Sequence, residues 1–325
     1  MIAVNSVESI IQKKNNQSEF RHKYKSDVTM FLRRYGILYL FLIPALLYYI
    51  IFHYIPMYGT LIAFKNFNPY IGILESPWVG LKHFLAFFDS IYFFRLIRNT
   101  FAISVFSILF GFPVPIIFAL LLNEIKSVRY RSIVQSISYL PNFVSTVVIA
   151  GIIFAFLSPS SGLVNAIITK LGGDSISFMI EPAWFRTIYV ASGIWQTAGW
   201  NSIIYFAVLS SISPSLFEAA DMDGAGRLQK IIHISLPSLL PTISTLLLLN
   251  LGGLMSVGFE KAFLLYTPST YETGDVLSTY VYRSGLINQE FSFAAAVDLF
   301  NSLLNIIFII IFNKLSKKIS GNSLW

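Results

Sequence analysis

Within the long apolar stretches of this 325-residue chain, a few side chains keep the capacity to hydrogen-bond or stack. Trp195, Gln196, Trp200 and Asn201 share one stretch, Asn250 and Ser256 a second, and Asp298, Asn301 and Asn305 a third. Spacings of three and four put each set on roughly one helix face. Polar groups there are costly in an apolar medium, so they turn toward a neighbouring helix or an aqueous cavity. Two chemistries fit. Amides and rings could hold a polar solute along a path, or they could tie helices together beside the small residues Gly252, Gly253 and Gly258. Bond-making chemistry has no comparable basis. His22, His53, His83 and His233 are scattered, no H-E-x-x-H occurs, the carboxylates do not cluster and there is no cysteine. Neither catalytic residues nor a metal site is expected. His53 reads as a satisfied interior or interfacial histidine. No G-x-x-x-x-G-K-[ST] phosphate loop occurs either.

The elements that carry these residues are set by composition. Hydrophobic residues make up 55% and charged residues 12% of the chain, about half the charge of a soluble globule. Six apolar runs, at about 36–58, 100–122, 136–157, 187–212, 241–265 and 293–312, are each long enough to cross a bilayer as a helix. Pro44, Pro113, Pro115 and Pro141 fall inside them; in a membrane such prolines are tolerated because neighbouring helices re-satisfy the freed carbonyls. The fold class is therefore an all-α polytopic membrane protein with six transmembrane helices. The first 35 residues are polar and precede a long run without a small-residue cleavage site, so the first run is expected to stay as a span and not to be a signal peptide.

Charge orients the bundle. The N-terminal 35 residues, the loops after the second and fourth runs, and the tail hold 15 of the 23 Lys and Arg and 7 of the 16 Asp and Glu. The opposite side keeps 8 basic and 9 acidic residues, so the net charge of +7 divides as +8 and −1. By the positive-inside rule both termini are expected in the cytoplasm, which removes nucleic acid as a reason for the basic tails. Outer loops at 59–95, 158–186 and 266–292 carry Tyr70, Trp78, Phe84, Tyr92, Phe93, Phe94, Trp184 and Phe185. They suit an interfacial aromatic belt or a docking surface for an external partner.

The loop between the fourth and fifth runs, 213–237, is longer than a connection needs. Ser213 suits an N-cap, Pro214 the first helical position, and acids follow at Glu218, Asp221 and Asp223. Gly224 and Gly226 are expected to supply a helix stop and a sharp turn. A second short helix with Leu228, Ile231, Ile232 and Ile234 is expected to end at Pro237. The outcome is a helix-turn-helix on the cytoplasmic face.

Here the residues resemble a family. Glu218-Ala219-Ala220, then Gly224, Ile234, Leu236 and Pro237, satisfy in full the EAA motif of permease subunits of binding-protein-dependent ABC importers. The resemblance runs from about Phe31 to the C-terminus. It includes Arg98-Asn-Thr100, Leu122-Asn-Glu124, Ser138-Tyr-Leu-Pro141 and Tyr280-Val-Tyr-Arg283. The chain is similar to the subgroup that imports complex polysaccharides and oligosaccharides, related to the larger maltose permease subunit, with alginate-importer permeases among plausible members.

What the resemblance implies is a type I importer half in the bacterial cytoplasmic (inner) membrane. It implies a heterodimer with a second homologous permease, two ATPases at the cytoplasmic face holding ATP and Mg, and an extracytoplasmic solute-binding protein that delivers an oligosaccharide. This chain itself would bind no cofactor. Leu216, Phe217, Glu218, Ala219, Ala220, Asp223, Gly224, Ile234, Leu236 and Pro237 are then expected to couple to the ATPase. Trp195, Gln196, Trp200, Asn201, Asn250, Asp298 and Asn301 are the candidates for the substrate path. The chain divides into a basic extension (1–35), a first span with a long outer loop (36–95), a transmembrane domain (96–313) and a basic tail (314–325). An ion-driven sugar carrier using Asp298 or Glu260 is the alternative, though carriers commonly show inverted repeats and none is evident.

Overall fold

The computed structural model describes Tyr35, Ile37 and residues 40–320, the side chains of 319 and 320 excepted. Apart from Tyr35, the basic extension 1–35 lies outside the described residues, as does 321–325 at the end of the tail. Two compact units are separated at Leu61 and Ile62.

Among the described residues every long element is helical, as the apolar runs predict. Helix α1 covers Leu40–Phe64. Outside the bundle's long helices, α2 (Lys82–Phe88) precedes α3, Phe93–Asn123. Then come α4 (Val128–Phe143), α5 (Thr146–Leu157) and the short α6 (Leu163–Lys170). Helix α7 is Pro182–Ser210, α8 Pro214–Met222, and α9 Arg227–Gly252. Short helices α10 (Phe259–Leu265) and α11 (Leu277–Tyr282) lead to α12, Phe291–Ser320. Four of these, α1, α3, α9 and α12, are long and apolar enough to cross a membrane, and at most 17% of their apolar windows is buried within the chain. Their apolar faces therefore point outward, as a lipid-facing or subunit-facing surface requires.

Three boundaries depart from expectation. The run 136–157 is not one straight helix: α4 and α5 meet at 100°. Pro141 falls in the closing 3-10 turn of α4, Val144 is extended, and Ser145 restarts the chain by accepting a hydrogen bond from the Val148 N–H at 3.4 Å. The fifth run begins earlier and ends earlier, at Gly252 and not at 265. Pro237 does not end a helix there. Residues Ile231–Ser235 form a π-turn, in which the Leu236 N–H reaches back five residues to Ile231; the widened ladder accommodates the N–H that Pro237 lacks.

One part of the core is built where α3, α7 and α9 meet, around Ile116, Ala119, Tyr205, Leu209 and Leu239. Farther along, Phe87 of α2, Leu96, Met255, Leu277, Tyr280 and Val297 close a second cluster. Gly199 lets α7 lie directly on α4, because a Cβ there would fall well inside contact distance of the Ser138 backbone.

Candidate functional site

A cavity of about 470 Å³ opens between α3, α7, α9 and α10. Its α3 wall is a π-turn, Ser107–Gly111, placed just before Pro113, whose missing N–H interrupts the regular ladder. The turn presents Ser107 and Gly111 to the cavity. Helix α7 contributes Tyr189, Gly193, Gln196, Thr197 and Asn201, spaced by three and four as one face requires, and α9 contributes Asn250. From α10 comes Lys261, the one formally charged side chain in the lining.

The polar groups are held differently. Thr197 Oγ1 donates to the Gly193 carbonyl at 2.9 Å and Asn250 Nδ2 to the Leu246 carbonyl at 2.8 Å, each within its own helix. The side chains of Gln196 and Asn201, unlike their helical backbone, make no hydrogen bond to the described residues. Lys261 Nζ donates to the Tyr189 carbonyl at 2.9 Å and lies 4.8 Å from the centre of the Tyr189 ring. Helix α10 follows the spanning helix α9 in the chain, and burial lowers the Lys261 pKa to about 8. With amides, hydroxyls, one cation and no acid–base pair, the cavity is equipped to hold a polar solute.

Tertiary packing thus separates residues that look equivalent in sequence. Gln196, Asn201 and Asn250 meet in the lining, whereas Trp195, Trp200, Asp298 and Asn301 lie outside it. Trp200 instead meets Phe143 edge to face, with centroids 5.3 Å apart. Asn305 serves packing: its Oδ1 accepts from the Met255 N–H at 3.0 Å and its Nδ2 donates to Ser256 Oγ at 3.1 Å. Ser107, Tyr189, Thr197 and Lys261 join the lining beyond the residues expected from the sequence. Lys261 had a usable signal there, a lone cation between Phe259 and Phe263-Leu264-Leu265.

A second polar node orders the loops beside the cavity. Asp275 is fully buried and takes Arg283 Nη2 at 2.7 Å and Arg95 Nη2 at 3.3 Å on Oδ2, with Arg283 Nη1 at 3.2 Å and Thr279 Oγ1 at 3.0 Å on Oδ1. Burial works to lower the Arg283 pKa, but the hydrogen bonds and charge of Asp275 outweigh it and raise it. Asn99 Nδ2 donates to the carbonyls of Glu272 and Asp275, and its Oδ1 accepts from Arg186. The segments Arg98–Thr100 and Tyr280–Arg283, which carry part of the family resemblance, are brought together here.

The hairpin of α8 and the start of α9 takes its shape from Gly224, at φ +74°. The Ala225 N–H reaches the Ala220 carbonyl at 2.9 Å and the Gly224 N–H the Asp221 carbonyl at 3.1 Å, the two bonds of a Schellman stop. Gly226 needs no such conformation: it is extended, with φ −70°, and its N–H donates to Gln229 Oε1 at 2.7 Å. Ser213 occupies the N-cap position, but its hydroxyl pairs with Ser215 at 2.8 Å and makes no cap bond. Lys230 bridges to Asp221 at 2.6 Å across the turn. Leu216, Glu218, Ala219, Asp223 and Gly224 are exposed, Phe217 and Ala220 half-buried. Ile234 and Leu236 are half-buried and Pro237 exposed at the root of α9.

Residues 111–321 match the family described as binding-protein-dependent transport system inner membrane component. The chain is 38% identical over 306 residues to the polygalacturonan/rhamnogalacturonan transport system permease protein YteP of Bacillus subtilis (strain 168), covering 94% of this chain and 95% of that one. Protein LplB of the same organism is 42% identical over 294 residues, 90% and 92% of the two chains. A crystal structure of a bacterial ABC transporter involved in the import of the acidic polysaccharide alginate contains a chain 45% identical to this one. The two superpose with a TM-score of 0.82 over 89% of this chain and 98% of that chain. A bacterial alginate ABC transporter in complex with an alginate pentasaccharide-bound periplasmic protein gives 43% identity, 90% and 98% coverage and a TM-score of 0.83.

Proposed function

Because the chain belongs to the family of binding-protein-dependent transport system inner membrane components, we propose that the cavity between α3, α7, α9 and α10 is its share of an oligosaccharide path and that α8 is its contact with an ATPase. The chain is a membrane-embedded transport subunit with the type I ABC importer permease fold; it is not an enzyme, and ATP is hydrolysed by a separate subunit. Six spans, with α4–α5 counted as one bent pair and α7 with α8, bent from it by 69°, as another, leave both termini on one side, and the excess of Lys and Arg there makes that side the cytoplasm of a bacterial cell. The division at 1–35, 36–95, 96–313 and 314–325 then separates cytoplasmic ends from the spanning domain. A second, homologous permease completes the path, two ATPases carry ATP and Mg, and an extracytoplasmic solute-binding protein delivers the sugar. That delivery is supported by the periplasmic protein in the related alginate transporter.

The observation that carries the path is the convergence of Gln196, Asn201 and Asn250 on one cavity while the packing role falls to Asn305. Gln196→Ala, Asn201→Ala and Asn250→Ala are expected to lower sugar uptake into proteoliposomes by a few-fold to about ten-fold each, the range of one lost hydrogen bond. Assembly and ATP hydrolysis without sugar should survive. Trp200→Ala, outside the lining, should spare uptake; if it alone reduced uptake and the three amide variants did not, the path would run elsewhere.

Topology has its own test. With no native cysteine, Lys230→Cys should react with an impermeant maleimide only from the cytoplasmic side and Trp78→Cys only from outside. External labelling at position 230 would refute the orientation.

A further inference from the structure

Lys261 is hard to explain as a packing residue. Its ammonium is held by one backbone carbonyl and one ring face, and no carboxylate lies within ion-pair distance among the described residues. Glu260, next in sequence, is exposed and lines no part of the cavity. A largely buried cation with no counter-charge is destabilising unless something else supplies the charge. One N–H of the ammonium is engaged at Tyr189, which leaves two donors. The facing helix also makes room for it: a Cβ at Gly193 would stand 3.1 Å from Lys261 Nζ, so any larger residue would crowd the ammonium. Around it the lining is uncharged, with Gln196, Thr197 and Asn250 as polar neighbours in the same cavity.

We propose that Lys261 is the carboxylate-binding residue of this cavity and that the cargo is an acidic oligosaccharide bearing uronate groups. The inference rests on the reading of the cavity as a sugar path. A single ammonium matches a single negative charge, as on a uronic acid, whereas a phosphate dianion would leave uncompensated charge in the same space. Tyr189 keeps the ammonium at its post through the carbonyl and the ring, and Gly193 leaves its remaining donors open. The amides then take the ring hydroxyls. Selection for charge would operate here even after a binding protein has made its own choice.

The test uses the assembled transporter in nanodiscs without the solute-binding protein, so that only the permease discriminates. Equilibrium binding is measured calorimetrically for galacturonate and mannuronate tetramers, for their fully methyl-esterified forms, and for an uncharged arabino-oligosaccharide. Wild type should prefer an acid form over its ester. Lys261→Gln, which keeps a donor for the Tyr189 carbonyl, should lose about ten-fold or more for the acid form, the scale of one charge-assisted hydrogen bond, and leave the ester unchanged. Lys261→Arg should retain the preference. Equal losses for acid and ester in Lys261→Gln, or an intact preference, would overturn the role of Lys261. Binding of the neutral sugar with none of the uronides would overturn the acidic cargo but leave the path standing. Failure of every probe to bind wild type would overturn both.

Discussion

Replacing Gly224 by valine is expected to leave a protein that inserts and assembles but in which sugar-stimulated ATP hydrolysis and uptake fall together, by about ten-fold or more. The cause is torsional. An added Cβ meets nothing within 4 Å at this position, yet the backbone sits at φ +74°, where a β-branched residue is a genuine outlier. The left-handed conformation costs an ordinary L-residue roughly 1–2 kcal/mol, which corresponds to about a ten-fold shift in favour of other conformations. The Schellman bonds at Ala220 and Asp221 and the Lys230–Asp221 bridge would be lost with the turn. Helix α8 would then present Leu216 and Glu218 in a different direction. Asparagine tolerates this region, so Gly224→Asn should recover most of the activity. Adding Glu218→Lys to Gly224→Val should deepen the defect, since the exposed carboxylate is the charge best placed to meet a basic group on an ATPase. Wild-type transport by the double variant, measured in proteoliposomes alongside hydrolysis, would reduce the hairpin to a connector.

The second large effect is at Asp275. Its carboxylate has no exposed area and answers two guanidinium groups and one hydroxyl. Asp275→Asn preserves volume but leaves Arg95 and Arg283 facing each other without a counter-charge; breaking a buried pair in this way costs about 3–5 kcal/mol. That is a large part of the roughly 5–15 kcal/mol by which a native fold is stable. Asp275→Asn should therefore show sharply reduced recovery of folded protein after heating, followed by size-exclusion chromatography in detergent. Arg95→Gln should be milder, because Arg95 is more exposed than Arg283 and its bond is longer, 3.3 against 2.7 Å. An Asp275→Asn protein as heat-resistant as wild type would show that the node contributes little to stability.

These two positions differ in how they could have been found. The stop at Gly224 depends on residues within five positions of one another, so its glycine, the acids before it and the apolar residues after it were readable directly. The same holds for the apolar runs and for the unequal division of Lys and Arg, since length, hydropathy and charge are properties of contiguous segments. Local signals were less dependable at prolines. Pro237 reads as a helix stop, yet the π-turn at Ile231–Ser235 absorbs it and α9 continues; Pro141 reads as tolerated within one span, yet α4 and α5 part at 100°.

Sequence alone determined that this chain is helical, lives in a membrane and carries the EAA turn, because each of these follows from side chains a few residues apart. Only tertiary structure decided which polar residues share a cavity. Asn250 and Asn305 both lie in apolar runs at helical spacing from polar neighbours, but one lines the cavity and the other ties α12 to the end of α9. Lys261 reaches the cavity through a carbonyl 72 residues away, and Arg95 meets Asp275 across 180 residues. Such pairings depend on how helices cross and where their ends fall, and the periodicity of a single helix holds no record of its neighbour's rotation.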